Sequence, residues 1–187
     1  MFIMEIYLTR NWIDFDMQTI GEIQKKVRNA NQLRIVNSGD DFSEELLNMN
    51  SYAGIVEYFQ EELVVTVKAG TSIEDINQVL GENKQALPFY FSDPKKSIGS
   101  LYSTAGSDLS DCVLGIQIIN GKGDLLNFGG QVMKNVAGYD VSRLLVGSMG
   151  KLAVITQISF KVFLKNWLKK EKIIRQRKLM TLLLGRK

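Results

Sequence analysis

The stretch "FGGQVMKNVAGYDVSRLLVGSMGKLAVIT", residues 128–156, decides how the rest of the chain is interpreted. Up to residue 150 it holds five glycines but neither histidine nor cysteine. Asp140 is placed to cap a short helix over residues 141–146, and Gly147 is suited to end that helix. Glycines at such corners serve either turn geometry or the close approach of backbone N–H groups to a ligand. The pattern alone leaves both uses open.

Strands are predicted on both sides of this stretch. Residues 113–119 and 125–128 form one predicted hairpin, and residues 55–58 and 63–69 form another. A last strand is expected over residues 151–162, where apolar and polar side chains alternate. A helix and a short strand come first and the hairpins follow, which indicates an α+β fold.

Two helix starts are predicted from capping residues. Asp16 is placed to cap a helix that begins at Met17 and carries an apolar face. Thr71 and Glu74 form the T-x-x-E pattern of a capping box in front of a second helix.

The composition excludes several kinds of site. The chain has 187 residues and no histidine, so it lacks the commonest general base near neutral pH and the commonest transition-metal ligand. A single cysteine, Cys112, excludes an internal disulfide and a cysteine-rich metal or iron–sulfur site. Neither a signal-peptide pattern nor a membrane-spanning apolar run is recognised, so a cytoplasmic location is expected.

Charge is distributed unevenly along the chain. Residues 1–160 carry 13 basic and 19 acidic side chains, whereas residues 161–187 carry 10 basic and one acidic. A basic tail without a stacking platform or a binding motif is a weak sign of nucleic-acid binding, so no nucleic-acid partner is expected.

A family resemblance separates the two uses of the glycines. Residues 128–156, together with "ELVVTVKAGTSIEDINQVL", "LPF" and "DCVLGIQIINGKGDLL", resemble the FAD-binding E subunit of bacterial glycolate oxidases, also called glycolate dehydrogenases. The resemblance covers about residues 15–162. The wider family is the PCMH or vanillyl-alcohol-oxidase type of FAD-binding domain. It implies a small βαβ-type lobe and a larger antiparallel-sheet lobe with helices, with FAD between the two lobes.

The same resemblance implies a division of the chain. Residues 1–162 would form the FAD-binding domain, and residues 163–187 a basic tail to which no structure is assigned. Because the family continues into a further region that the tail does not match, the chain is expected to be truncated at its C-terminus.

The resemblance also implies which residues contact the cofactor. They lie in the first phosphate loop (residues 36–43), the "SIGS" turn (residues 97–100) and the segment before residue 113. Others lie in two corners of the opening stretch, residues 138–140 and 150–155. The implied set is Gly39, Ser97, Ile98, Gly99, Ser100, Asp111, Gly138, Tyr139, Asp140, Gly150, Leu152, Val154 and Ile155. No catalytic side chain and no metal ligand is assigned. The FAD is expected to be noncovalent, since the chain has no histidine to tether it.

The implied function is that of a flavoprotein subunit in a glycolate (2-hydroxy acid) oxidase or dehydrogenase complex, passing electrons or supporting assembly. The implied partners are a larger flavoprotein subunit and an iron–sulfur subunit. The chain is not expected to be an active oxidoreductase alone, and membrane association is at most peripheral, through the complex.

Two alternatives stay open. Asp40 and Asp41 place negative charge in the first phosphate loop, where two phosphates would lie, so a flavin-free assembly subunit that keeps the fold is the second hypothesis. Arg143 is interpreted either as a phosphate ligand or as a member of a structural ion pair.

Overall fold

The computed structural model describes residues 19–31, 33–36, 46–89, 91–130 and 140–168. A 3-10 helix at Ser107–Cys112 precedes the second hairpin. The remaining elements of these ranges are, in order, α1 (Ile20–Asn29), β1 (Arg34–Val36), β2 (Leu46–Asn48), β3 (Ile55–Phe59), β4 (Val64–Lys68), α2 (Ile73–Glu82), β5 (Gln85–Ala86), α3 (Ile98–Thr104), β6 (Val113–Ile119), β7 (Leu125–Gly129), α4 (Val141–Leu145), β8 (Val154–Lys161) and β9 (Phe163–Leu164).

Three sheets organise these strands. The largest has the order β3-β4-β8-β6-β7, and every neighbouring pair in it is antiparallel. The strands β1 and β2 form a parallel pair, and β5 pairs antiparallel with β9. The predicted α+β fold, with a small parallel unit and a larger antiparallel sheet, is confirmed.

The central strand β8 carries much of the core. Phe160 lies opposite Val65 of β4, and Ile158 lies between Val67 of β4 and Ile116 of β6. These five side chains are buried and belong to one continuous apolar core that also includes residues of α1 and α2. Since side chains alternate across a strand, they share one face of the sheet.

The first helix begins later than the sequence predicts. Thr19 is the capping residue of α1: its hydroxyl accepts a hydrogen bond from the Glu22 N–H at 3.3 Å, and Glu22 accepts one from the Thr19 N–H at 2.6 Å. This capping box replaces the predicted cap at Asp16, which lies outside the described residues.

The cap of α2 is also displaced by one residue from the prediction. The Thr71 hydroxyl donates to the carbonyls of Lys68 and Gly54, at 2.7 and 3.1 Å, so it is committed to the turn before the helix. Ser72 therefore caps α2, and its hydroxyl accepts from the Asp75 N–H at 3.0 Å.

The described fold continues past residue 162. Strand β9 pairs with β5, and the Lys165 N–H donates to the Lys84 carbonyl at 2.8 Å. Residues 169–187 lie outside the described part, so the domain boundary at residue 162 stays a prediction. Across the described ranges, no helix is long and apolar enough to cross a membrane.

The burial of β8 generates a stability prediction. Phe160→Ala removes a fully buried ring that packs at 5.4 Å, centroid to centroid, from Phe89. We expect the free energy of unfolding, measured by urea titration with circular dichroism, to fall by about 3–5 kcal/mol. The matched control is Phe59→Ala on the edge strand β3, where the side chain is 40% exposed. An equal loss in both variants would contradict the central role of β8.

Candidate functional site

The "SIGS" turn forms the start of α3, and its N–H groups bond within the protein. The Ile98 N–H donates to the Thr71 carbonyl and the Gly99 N–H to the Ala69 carbonyl, both at 2.8 Å. The Ser100 N–H donates to the Ser97 hydroxyl at 3.2 Å, which caps the helix. These three donors are therefore engaged by the chain itself.

Gly99 is explained by packing. A Cβ atom at this position would lie 2.9 Å from both the carbonyl oxygen and the Cβ of Ala69. Real Cβ atoms do not approach backbone so closely, so the absent side chain lets α3 lie directly against the segment after β4.

The corner after α4 is attached to the other end of α3. The Gly147 N–H donates to the Tyr102 carbonyl at 3.1 Å, and the Met149 N–H donates to the Ser103 carbonyl at 2.9 Å. The last carbonyls of a helix lack partners within that helix, and here the corner supplies them. The corner after α4 is thus held by the C-terminal end of α3, opposite the "SIGS" turn at its start.

An ion-pair bridge joins two predicted cofactor residues. The Arg143 guanidinium lies 3.1 Å from the Asp111 carboxylate through Nη2 and 3.0 Å from the Asp140 carboxylate through Nε. Asp140 also caps α4, because its carboxylate accepts from the Arg143 N–H at 3.1 Å. The interpretation of Arg143 as a member of a structural ion pair is confirmed.

Tyr102 links α3 to α4 from the inside. Its side chain is fully buried, and its hydroxyl donates a hydrogen bond to the Ser142 carbonyl. Burial first, and the negative charge of Asp140 second, raise the pKa of this phenol well above its usual range. Tyr102 therefore keeps its proton. The sequence did not single it out, although its apolar neighbours on a short helix were a usable signal.

The "GSMG" corner holds a buried polar atom. The Ser148 Oγ is shielded from solvent and has no hydrogen-bond partner within the described ranges. Buried hydroxyls are normally paired, so an unpaired one points to a missing partner. Sequence reasoning assigned the glycine of this corner but not its serine.

The first strand reaches the same corner. Gly150 has a φ of +71°, a conformation that glycine adopts at little cost, and a Cβ there would lie 3.3 Å from the Cδ1 of Ile35 in β1. Leu152 beyond it is 57% exposed, whereas Val154 and Ile155 are buried at the start of β8. At this corner, the parallel pair of β1 and β2 therefore contacts the segment that leads into the large sheet.

The structure brings together part of the predicted set. Helix α3 packs against β8, and α4 packs against β6. The elements around these two helices contain the start of α3, Asp111, Asp140 and residues 150–155. Gly39, Gly138 and Tyr139 lie outside the described residues, so their assignment stays a prediction.

A separate cleft of about 400 Å³ opens on the polar face of the large sheet. Its lining includes Thr66 and Ser159, whose hydroxyls are hydrogen-bonded to each other at 2.8 Å, and Glu57 and Gln117. None of the described residues that line it belongs to the predicted cofactor set. The cleft is therefore not the candidate site.

Comparison with known proteins identifies the family of the chain. A family model described as "FAD binding domain" matches residues 18–129. The glycolate oxidase subunit GlcE of Escherichia coli (strain K12) is 36% identical over 165 residues, which cover 80% of this chain and 47% of that protein. The glycolate oxidase subunit GlcD of Bacillus subtilis (strain 168) is 32% identical over 128 residues, which cover 62% of this chain and 27% of that protein.

A third relative matches a shorter part of the chain. The mitochondrial D-lactate dehydrogenase (cytochrome) of Arabidopsis thaliana is 30% identical over 110 residues, which cover 54% of this chain and 19% of that protein. The chain spans about half the length of GlcE and less of the other two relatives. With more than half of its residues matched by the family model and the expected α+β architecture in place, the chain belongs to the family of FAD binding domains, and its cofactor is FAD.

Proposed function

We propose that this chain is the FAD-binding subunit of a glycolate (2-hydroxy acid) oxidase or dehydrogenase complex. The observation that carries the proposal is the 36% identity to GlcE over 80% of the chain. In the proposed complex, a larger flavoprotein subunit and an iron–sulfur subunit are the partners. The complex is placed in the cytoplasm, with at most a peripheral attachment to a membrane.

The corner after α4 fits a bound dinucleotide. It carries the buried, unpaired hydroxyl of Ser148 and the exposed side chain of Leu152, and Gly150 gives its backbone a positive φ. We assign the holding of FAD to this corner, together with Asp140, Val154 and Ile155 at its margins. When bound, FAD accepts the two electrons released by oxidation of a 2-hydroxy acid and passes them on.

The charge at the start of α4 is partly neutralised within the protein. Asp111 and Asp140 would repel an anion, but the Arg143 guanidinium lies between them and balances one of the two charges. All three side chains are more than half exposed, so water screens what remains. Arg143 thereby acts on the cofactor indirectly, by neutralising its neighbours.

The chain is poorly equipped to accept the proton of a substrate hydroxyl. It contains no histidine, and the Tyr102 phenol is buried and holds its own proton. General-base catalysis needs a group whose pKa lies near the working pH. We therefore assign proton removal to a partner subunit, and to this chain the binding of FAD.

A second candidate is a flavin-free assembly subunit with the same fold. It is favoured by the engaged N–H groups of Ile98, Gly99 and Ser100, which leave no free donor among them for a phosphate. The acidic residues Asp40 and Asp41 act in the same direction. The two candidates differ in whether the purified chain retains FAD.

Ser148→Ala tests the assignment of the corner. Removing an unpaired buried hydroxyl should leave the melting temperature of the FAD-free chain unchanged or higher, since the polar group has no partner to lose. If the hydroxyl bonds FAD, the FAD dissociation constant should rise roughly 5–10-fold, as for one lost hydrogen bond. Flavin fluorescence titration measures this constant, and Ser92→Ala at an exposed position is the control. An unchanged dissociation constant would remove Ser148 from the site.

The visible absorption spectrum tests the choice between the two candidates. We expect the purified chain to be yellow and acid precipitation to release all of its flavin as free FAD, because the chain has no histidine for a covalent link. A colourless chain that fails to take up FAD in titration would favour the assembly subunit. Flavin that stays on the precipitated peptide would show a covalent link.

Glycolate turnover tests the proposed division of labour. The FAD-loaded chain alone should show little or no glycolate oxidation with an artificial electron acceptor, because it lacks a suitable general base. Co-expression with the two proposed partner subunits should give turnover, and omission of this chain is the control. Rapid turnover by the isolated chain would overturn this assignment of roles.

A further inference from the structure

Helix α1 is tied to the turn between β6 and β7, far away in the sequence. The Gln24 side-chain amide donates to the Gly123 carbonyl at 2.8 Å, and Nη2 of Arg28 donates to the same oxygen at 2.9 Å. One donor is charged, and charge-assisted hydrogen bonds are roughly twice as strong as neutral ones. A single carbonyl thus receives two side chains from successive turns of α1.

The turn is shaped to present that carbonyl. Gly123 has a φ of +80°, and a Cβ there would lie 2.4 Å from the Cγ of Arg28, so the arginine stem packs directly on the glycine. The side-chain oxygen of Asn120 accepts from the N–H groups of Lys122 and Asp124, both at 2.9 Å. The turn is therefore held rigid by its own hydrogen bonds.

This contact and the "GSMG" corner lie at the same end of the large sheet. Ile119, the last residue of β6, lies opposite Val154, the first residue of β8. The turn that follows β6 and the corner that precedes β8 consequently lie at neighbouring strand ends of the sheet.

The helix α1 and the strand β1 each contact this end of the large sheet. Arg28 and Gln24 attach the helix to Gly123, and Ile35 of the next strand packs against Gly150. A shift of α1 on the turn would therefore displace Ile35 at the corner.

We propose that the hydrogen bonds of Gln24 and Arg28 to Gly123, the α1 clamp, position β1 against the Gly150 corner and thereby set the affinity of the chain for FAD. Arg28 is a positioning residue in this scheme, acting through α1 and β1. The inference rests on FAD binding and is independent of the partners and the substrate of the proposed complex.

A clamp and a simple stabilising contact have different consequences. A contact that only stabilises the fold lowers the melting temperature and leaves the FAD dissociation constant unchanged at temperatures far below melting. A clamp changes the dissociation constant under those same conditions, because the folded chain then holds its corner in several arrangements.

The experiment uses the full chain and measures the FAD dissociation constant by fluorescence titration. The titration is done at 15 °C, about the usual temperature of maximum stability. Melting temperatures are measured in parallel. Arg28→Ala removes the charged hydrogen bond of the clamp from the helix side and leaves that of Gln24. Gly123→Ala removes it from the turn side, because the new methyl group would displace the arginine stem. Both should raise the dissociation constant roughly tenfold, as expected for loss of a hydrogen bond to a charged donor.

Matched controls share each variant's surroundings. Lys25→Ala changes an exposed position of α1, and Gly121→Ala changes the same turn where a Cβ meets nothing within 4 Å. Both should keep the dissociation constant within about twofold, a change of less than 0.5 kcal/mol. Arg28→Lys, which keeps one charged donor, should recover part of the affinity.

The outcomes are distinct. Tenfold weaker binding by Arg28→Ala and Gly123→Ala, with partial recovery by Arg28→Lys, supports the clamp. Lower melting temperatures with an unchanged dissociation constant would overturn it. A wild-type chain that binds no FAD would overturn it together with FAD as the cofactor, whereas failure of the glycolate experiment alone would leave it standing.

Discussion

The pairing of β8 with β4 on one side and β6 on the other is the interaction on which the rest of this structure depends. It brings together chain segments that are about 40 to 90 residues apart and places Ile158 and Phe160 at the centre of the core. The same pairing determines where the segment before β8 lies on the sheet. The corner at residues 147–150 lies at this end of the sheet because Val154, which follows it, pairs with Ile119.

The glycines of the opening stretch and of the "SIGS" turn serve different purposes. At Gly99 the missing side chain lets α3 approach the segment after β4, and the nearby N–H groups are engaged by backbone carbonyls and a serine hydroxyl. At Gly150 the backbone adopts a positive φ and faces Ile35. At the corner of residues 147–150, the Ser148 hydroxyl is buried without a partner among the described residues.

At the start of α4, one cationic side chain lies between two anionic ones. Arg143 holds Asp111 and Asp140, which ties the segment before β6 to the start of α4. Because these side chains are largely exposed, the bridge contributes more to local geometry than to stability. Tyr102 attaches α3 to the start of α4 from the buried side, through the Ser142 carbonyl. A surface ion pair and a buried hydrogen bond thus hold α4 in one place.

Sequence by itself determined the strands of the large sheet and the family. The hairpin pattern placed β6 at residues 113–119, as observed, because a turn between two apolar runs is a local property of the chain. The caps were less predictable. Thr71 matched a capping box but was engaged by the Lys68 and Gly54 carbonyls, so Ser72 capped α2 instead.

Only the tertiary structure decided which polar groups are paired. The contact of Arg28 with Gly123 and the burial of Ser148 depend on segments far apart in the chain, whose approach is set by packing of the whole core and not by any local pattern.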